Sequence, residues 1–137
     1  MKYLLDNDVF LSAIYRKHVG HPTSRAWLDS AKPSGWGIAV ETYLAATRLL
    51  MNPSLMGSGV LTAVEALNAV ETELSGPYPG KLIGSRKPDR KILEKAKGHR
   101  QVMDFWLVQI ARDAKAKLAT RDAGILHHWP EYTERVA

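Results

Sequence analysis

Short apolar runs that stop at an acid alternate along this chain with stretches of helical periodicity. Tyr3-Leu4-Leu5 is the first such run, and it reads as a buried strand with Asp6 at its carboxyl end. Val9, Phe10, Ala13 and Ile14 then recur at helical spacing, which predicts a helix to about Lys17 with Asp8 as its cap. His18 to Pro22 reads as a loop, and Pro22 or Thr23 opens a second helix toward Ala31. Lys32-Pro33-Ser34-Gly35 is turn chemistry, after which Trp36-Gly37-Ile38-Ala39 is a second strand. Glu41 to Met51 is helical, with Leu44, Ala45, Leu49 and Leu50 available for one face, and Asn52-Pro53 ends it. Ser58 or Gly59 opens a long helix whose apolar side carries Val60, Leu61, Val64, Leu67 and Val70, a stripe expected in a core or a dimer interface. Ser75-Gly76-Pro77 closes that helix, and Lys81-Leu82-Ile83 is a short strand. In the basic stretch Arg86 to His99, Pro88 suits a helix's first turn, and Gln101 to Ala114 forms a further helix. Lys117 to Thr120 is another strand ending in an acid, Asp122; a short helix to about His127 and an edge strand over 132–136 complete the chain.

Strands that alternate with helices imply an α/β fold with a mostly parallel central sheet of about four or five strands, covered by helices on both faces. The 137 residues suit one domain spanning 1–137, and 45% hydrophobic residues are enough to build a core without staples. Cysteine is absent, so disulfides and cysteine-ligated zinc are excluded. No apolar run reaches the roughly 18 residues a membrane span needs, and the start lacks the apolar region and cleavage site of a signal peptide. The expected setting is therefore the cytoplasm, without membrane association. A formal charge of +5 favours a polyanionic partner, nucleic acid before membrane.

Ligands of open parallel sheets bind beyond the carboxyl ends of the strands. Asp6 and Asp122 follow strands that end there, Glu41 starts a helix after a strand, and Asp104 falls in about the first turn of its own helix. Four acids from distant parts of the chain are thus expected on one edge. Four carboxylates in one pocket repel one another, and a divalent cation relieves that repulsion. Oxygen donors without cysteine favour Mg2+ or Mn2+ over zinc. Such a site suits phosphodiester cleavage, since the cation lowers the pKa of a bound water and stabilises charge during in-line attack. Helix capping is the plain alternative for each acid taken singly.

Leu4-Leu5-Asp6-Asn7-Asp8-Val9-Phe10 resembles the opening of PIN domains, a strand ending in Asp-x-Asn before aliphatic residues. Glu41 with the trailing Arg48-Leu49-Leu50-Met51-Asn52-Pro53 resembles the second acidic motif of VapC toxins. Val102-Met103-Asp104-Phe105-Trp106-Leu107 resembles the third, and Leu118-Ala119-Thr120-Arg121-Asp122 the fourth. Order, spacing and length agree over essentially the whole chain. The resemblance implies a PIN-like fold and a VapC-type toxin: an Mg2+- or Mn2+-dependent endoribonuclease, usually a homodimer, silenced by a cognate VapB-type antitoxin and leaving a 5′-phosphate and a 3′-hydroxyl. By position, Asp6, Glu41, Asp104 and Asp122 would hold the metal, and Thr120 would orient the acids or be an ordinary strand-end threonine. Asp8 stands where the family most often has Asn; it either adds charge to the pocket or caps the helix, and the cap is the expectation. Ala123-Gly124-Ile125 is a loose match to the family's usual ending.

Arg86, Lys87, Arg90, Lys91 and Arg100 are candidates for holding RNA phosphates, against the alternative of a solvated helix face. His18, His21, His127 and His128 read as exposed loop histidines, and the four tryptophans as packing residues, Trp106 being the one to test for base stacking. Two rival functions fit less well. Asp6-x-Asp8 resembles the acid pair of a haloacid-dehalogenase-like phosphatase, but Phe10 departs from that pattern. A non-catalytic RNA-binding or regulatory PIN protein has no need of all four acids.

Overall fold

The computed structural model describes residues 1–84 and 86–137. These form a five-stranded sheet of order β3-β2-β1-β4-β5, built from β1 (Tyr3–Leu5), β2 (Trp36–Ala39), β3 (Lys81–Ile83), β4 (Lys117–Thr120) and β5 (Thr133–Arg135). Every neighbouring pair is parallel, with Leu4 opposite Gly37 on one side and Leu118 on the other. The architecture is the α/β sandwich expected of a PIN-like chain.

Strand side chains alternate between the two faces, and each face meets its own helices. Leu5, Ile38 and Ala119 point into a core with Val9 and Phe10 of α1 (Asn7–Ile14), Leu28 of α2 (His21–Ala31), Ala46 and Leu50 of α3 (Val40–Leu50), and Ala66 and Val70 of α5 (Ala63–Leu74). Leu4, Ala39 and Leu118 point the other way, onto Phe105, Leu107, Val108 and Ile110 of α7 (His99–Asp113) and Ile125 of α8 (Ala123–His128). Apolar runs rather than alternating ones therefore mark the central strands, because both of their faces are buried.

Several boundaries differ from expectation for identifiable reasons. Helix α1 is capped by Asp6, whose carboxylate accepts the Asn7 N–H; Asp8 lies inside the first turn and caps nothing. The helix ends at Ile14 rather than near Lys17. Asn52 caps a single turn, α4 (Pro53–Met56), and α5 starts only after Thr62, which forms a reciprocal capping box with Glu65. The expected apolar stripe is only partly buried. Ala66 and Val70 are buried, whereas Val60 and Val64 are exposed. Asp89, not Pro88, sets the next start: it caps the single turn α6 (Arg90–Leu93). Because α7 begins at His99, Asp104 falls in its second turn.

The basic segment before α6 is tied to α7 by a buried amide. Gln109, 2% exposed, accepts the Asp89 N–H at 2.7 Å and donates to the Lys87 carbonyl at 2.9 Å. Arg112 adds an ion pair to Asp89 at 2.8 Å. Replacement Gln109→Ala leaves the Asp89 N–H and the Lys87 carbonyl without these partners, so urea denaturation should show a loss of about 1–3 kcal/mol. Among the described residues no helix is long and apolar enough to cross a membrane.

Candidate active site

The chain leaves β1 toward β2 and β3 on one side and later returns to place β4 on the other side of β1. Such a reversal opens a crevice at the carboxyl ends of the two strands, because their connections depart in opposite directions. Asp6 follows β1 and Asp122 follows β4. The Asp6 N–H bonds to the Ala119 carbonyl at 2.9 Å, so the parallel ladder runs right up to the site.

A cavity of about 360 Å³ opens there, lined by Asp6, Asn7, Asp8, Asp104, Arg121 and Asp122. Asp6 is 7% exposed, and its two oxygens accept the Asn7 N–H at 2.8 Å and the Thr120 hydroxyl at 2.7 Å. The same hydroxyl accepts the Asp122 N–H at 3.0 Å, so Thr120 joins the two acid-bearing loops. Asp122 in turn caps α8 by accepting the Ile125 N–H at 2.9 Å. Capping and membership of the acidic cavity are therefore compatible at both Asp6 and Asp122. On α3, Thr42 donates to the Asn7 side chain at 2.6 Å and so fixes the loop beyond β1.

Electrostatics mark the acids as a group. Burial is the largest influence on Asp6 and raises its carboxyl above the ordinary 3.8; the hydrogen bonds from Thr120 and Asn7 oppose this, and the charges of Asp8 and Asp122 add to it. Asp104 is pushed up to about 6, first by burial and then by the charges of Asp6 and Asp122. Glu41 occupies the first turn of α3, half-buried and outside the cavity lining. The structure thus brings Asp6, Asp104 and Asp122 to one cavity and sets Glu41 apart from its wall.

Among the described residues no three or more His, Asp or Glu side chains are gathered closely enough to hold a metal ion as they stand. The donor chemistry of the cavity nevertheless fits a hard divalent cation: the acids offer only carboxylate oxygens, and their mutual repulsion is already visible at Asp104.

Asp8 is not the helix cap expected of it; it lines the cavity, and its charge adds to the raising of Asp6. One of its oxygens meets His18 Nε2 at 3.0 Å and the other meets Arg121 Nη2 at 3.0 Å. His18 is consequently half-buried and bonded, not an exposed loop histidine, and His21 is held likewise by the Ser12 carbonyl at 2.8 Å. Arg121 was not singled out from the sequence; the signal was a basic residue set between Thr120 and Asp122 in a motif otherwise made of acids. Trp36, Trp106 and Trp129 are buried packing residues, which takes Trp106 out of the candidates for base stacking. Arg86, Lys87, Arg90, Lys91 and Arg100 are all exposed.

No protein-family model matches the sequence. Curated relatives do. Ribonuclease VapC29 of Mycobacterium tuberculosis is 30% identical over 128 residues, covering 93% of this chain and 90% of the relative. Ribonuclease VapC39 of the same organism is 28% identical over 130 residues, covering 91% of each, and Ribonuclease VapC38 is 26% identical over 124 residues. A parallel α/β chain with acids at its topological switch point, similar in sequence to these proteins from end to end, belongs to the VapC ribonuclease family.

Proposed function

We propose that this chain is the toxin of a type II toxin–antitoxin pair, an endoribonuclease that hydrolyses RNA phosphodiester bonds with Mg2+ or Mn2+ bound by its acidic cavity. The observation that carries this reading is the shared cavity at the switch point, which gathers Asp6, Asp104 and Asp122 and where burial, with the charges of Asp6 and Asp122 added, raises the Asp104 carboxyl to about 6. Asp6, Asp104 and Asp122 would hold the cation, and Glu41, which the family resemblance adds to them, would contribute from the first turn of α3. When bound, the cation lowers the pKa of a water and offsets the charge that builds on the phosphate in the transition state. Thr120 fixes the Asp6 oxygen it bonds and the peptide that leads into Asp122, so the acids are preorganised. The phosphatase reading loses its second acid, because Asp8 is occupied by His18 and Arg121.

Exposed Arg86, Lys87, Arg90, Lys91 and Arg100 would take phosphates of the RNA, which would make affinity fall steeply with salt. The family also supplies the partner: a cognate VapB-type antitoxin that silences a homodimeric toxin in the cytoplasm.

The test is cleavage of total cellular RNA by the purified, antitoxin-free chain with Mg2+ or Mn2+. Cleavage that EDTA and Asp6→Asn both abolish is the expected result. Undiminished cleavage in EDTA would overturn metal dependence, and no cleavage by folded, metal-supplied protein would overturn the nuclease reading.

A further inference from the structure

Beside the acids that line the cavity lies one guanidinium whose contacts are all given to the α1–α2 side. Arg121 Nη1 donates to Ser24 Oγ at 2.6 Å, and Nη2 donates to Ser12 Oγ at 2.8 Å and to Asp8 at 3.0 Å. Ser12 and Ser24 are fully buried, with their hydroxyls 2.6 Å apart. The guanidinium lies so close to the chain that a Cβ at Gly20 would stand 2.7 Å from Nη2. On the far side of Asp8, the Gly20 N–H donates to His18 Nδ1 at 2.9 Å, which leaves Nε2 to carry the proton and donate to the carboxylate. Both oxygens of Asp8 are thus engaged, one by His18 and the other by Arg121, which lines the same cavity.

Resting on the metal reading above, we propose that Arg121 is a positioning residue of the acidic site: it holds the Asp8 carboxylate against the α1–α2 side and offsets its charge, so that the cation is set by Asp6, Asp104 and Asp122. Three features serve this role and no simpler one. The buried serine pair gives the guanidinium a fixed seat that does not depend on Asp8. Gly20 leaves the space it needs. The motif position of Arg121, between Thr120 and Asp122, ties that seat to the carboxyl end of β4. A surface ion pair made only for stability would need neither the buried hydroxyls nor the bare glycine, and exposed pairs contribute little in any case.

The charge argument fixes opposite signs for two substitutions. Removing Arg121 leaves Asp8 as an uncompensated anion at the rim; removing the Asp8 charge leaves Arg121 as an uncompensated cation. With the rim screened by water, one such charge about 6 Å from a divalent cation changes its affinity by about tenfold. The experiment is calorimetric titration of Mn2+ into the EDTA-treated, dialysed chain, with folding of each variant checked by circular dichroism. Arg121→Gln should bind Mn2+ about tenfold more tightly than the wild type, yet cleave RNA more slowly because Asp8 now competes for the ion. Asp8→Asn should bind it about tenfold more weakly. The double variant should return to within a few-fold of the wild-type affinity.

A merely structural role would weaken binding in both single variants and most in the double variant, and that pattern would overturn the proposal. A double variant as weak as Asp8→Asn would also overturn it, by making Asp8 a direct ligand. Should Arg121→Gln not fold, the comparison of Asp8→Asn with Asp8→Asn/Arg121→Lys decides: affinity unchanged between the two supports charge offset, and a further loss with lysine counts against it. Absence of any Asp104-dependent Mn2+ binding by the wild type would instead overturn the metal reading, and this inference with it.

Discussion

Replacement Asp104→Asn is expected to lower RNA cleavage by on the order of a thousandfold while making the metal-free protein more resistant to heat at neutral pH. Both effects come from the same charge. In the folded chain the Asp104 carboxyl sits at about 6, against an ordinary value of 3.8, because burial and the charges of Asp6 and Asp122 penalise its ionised form. An acid whose folded pKa is raised binds its proton more tightly in the folded state. Its contribution is therefore fully favourable below about pH 4 and is lost as pH rises through about 6. At pH 7.5 the ionised group works against the fold, and the neutral amide removes that penalty. Thermal melts in EDTA should show Asp104→Asn above the wild type at pH 7.5, with the gap closing as the pH is lowered below 6. Added Mn2+ should raise the wild type and leave the variant almost unmoved, since a ligand stabilises only the state that binds it. A variant less stable than the wild type in EDTA at pH 7.5 would mean that burial and the charges of Asp6 and Asp122 do not penalise the ionised Asp104 carboxyl as described.

What was legible in the sequence was whatever rests on local periodicity or on a strand's end. Tyr3–Leu5, Trp36–Ala39 and Lys117–Thr120 were read at their observed bounds, because strands buried on both faces are written as unbroken apolar runs flanked by acids or turns. The sheet order was beyond reach, since it depends on how the later half of the chain packs back against β1. Helix starts were misplaced wherever two capping residues competed. Asp6 and Asp8 are both good caps, and the one chosen, Asp6, is the one whose peptide also extends the ladder to Ala119. Thr62 prevailed over Ser58 and Gly59 because only Thr62 has a Glu three residues on to complete the box.

The candidate site divides in the same way. Asp6 and Asp122 could be placed from strand ends alone, whereas Asp104, expected in about the first turn of its helix, lies in the second. The partners of Asp8 could not be placed, because His18 is ten residues away and Arg121 is 113. An extra acid in an acidic pocket implies a counter-charge, but only the fold says which of the 19 basic residues supplies it. The buried serines 12 and 24 were invisible for a related reason: a small polar residue on a helix looks like surface until a guanidinium is found against it.

The neighbouring substitution Phe105→Ala is expected to do the reverse of Asp104→Asn, removing about 3–5 kcal/mol of stability while sparing the chemistry of whatever protein remains folded. Phe105 is fully buried and meets His128 and Trp129 edge-on, with ring centroids 5.6 Å away in both cases. These contacts fasten α7 to α8 and the turn beyond it, and they add to the cost of the cavity that alanine would leave. Since a domain of this size has only about 5–15 kcal/mol in hand, the loss is roughly a fifth of the total or more. Urea denaturation should show a large fall in midpoint with little change in slope. Cleavage per folded molecule, measured well below that midpoint at low temperature, should stay within about an order of magnitude of the wild type, because the Asp6 seat is made by Asn7 and Thr120 on the other side of the cavity. Two adjacent residues of one helix would then part cleanly, residue 104 trading stability for chemistry and residue 105 serving the fold. If Phe105→Ala instead lost activity as deeply as Asp104→Asn while still fully folded, the pose of Asp104 would depend on α8, and the α7–α8 contact would have to be counted as part of the site.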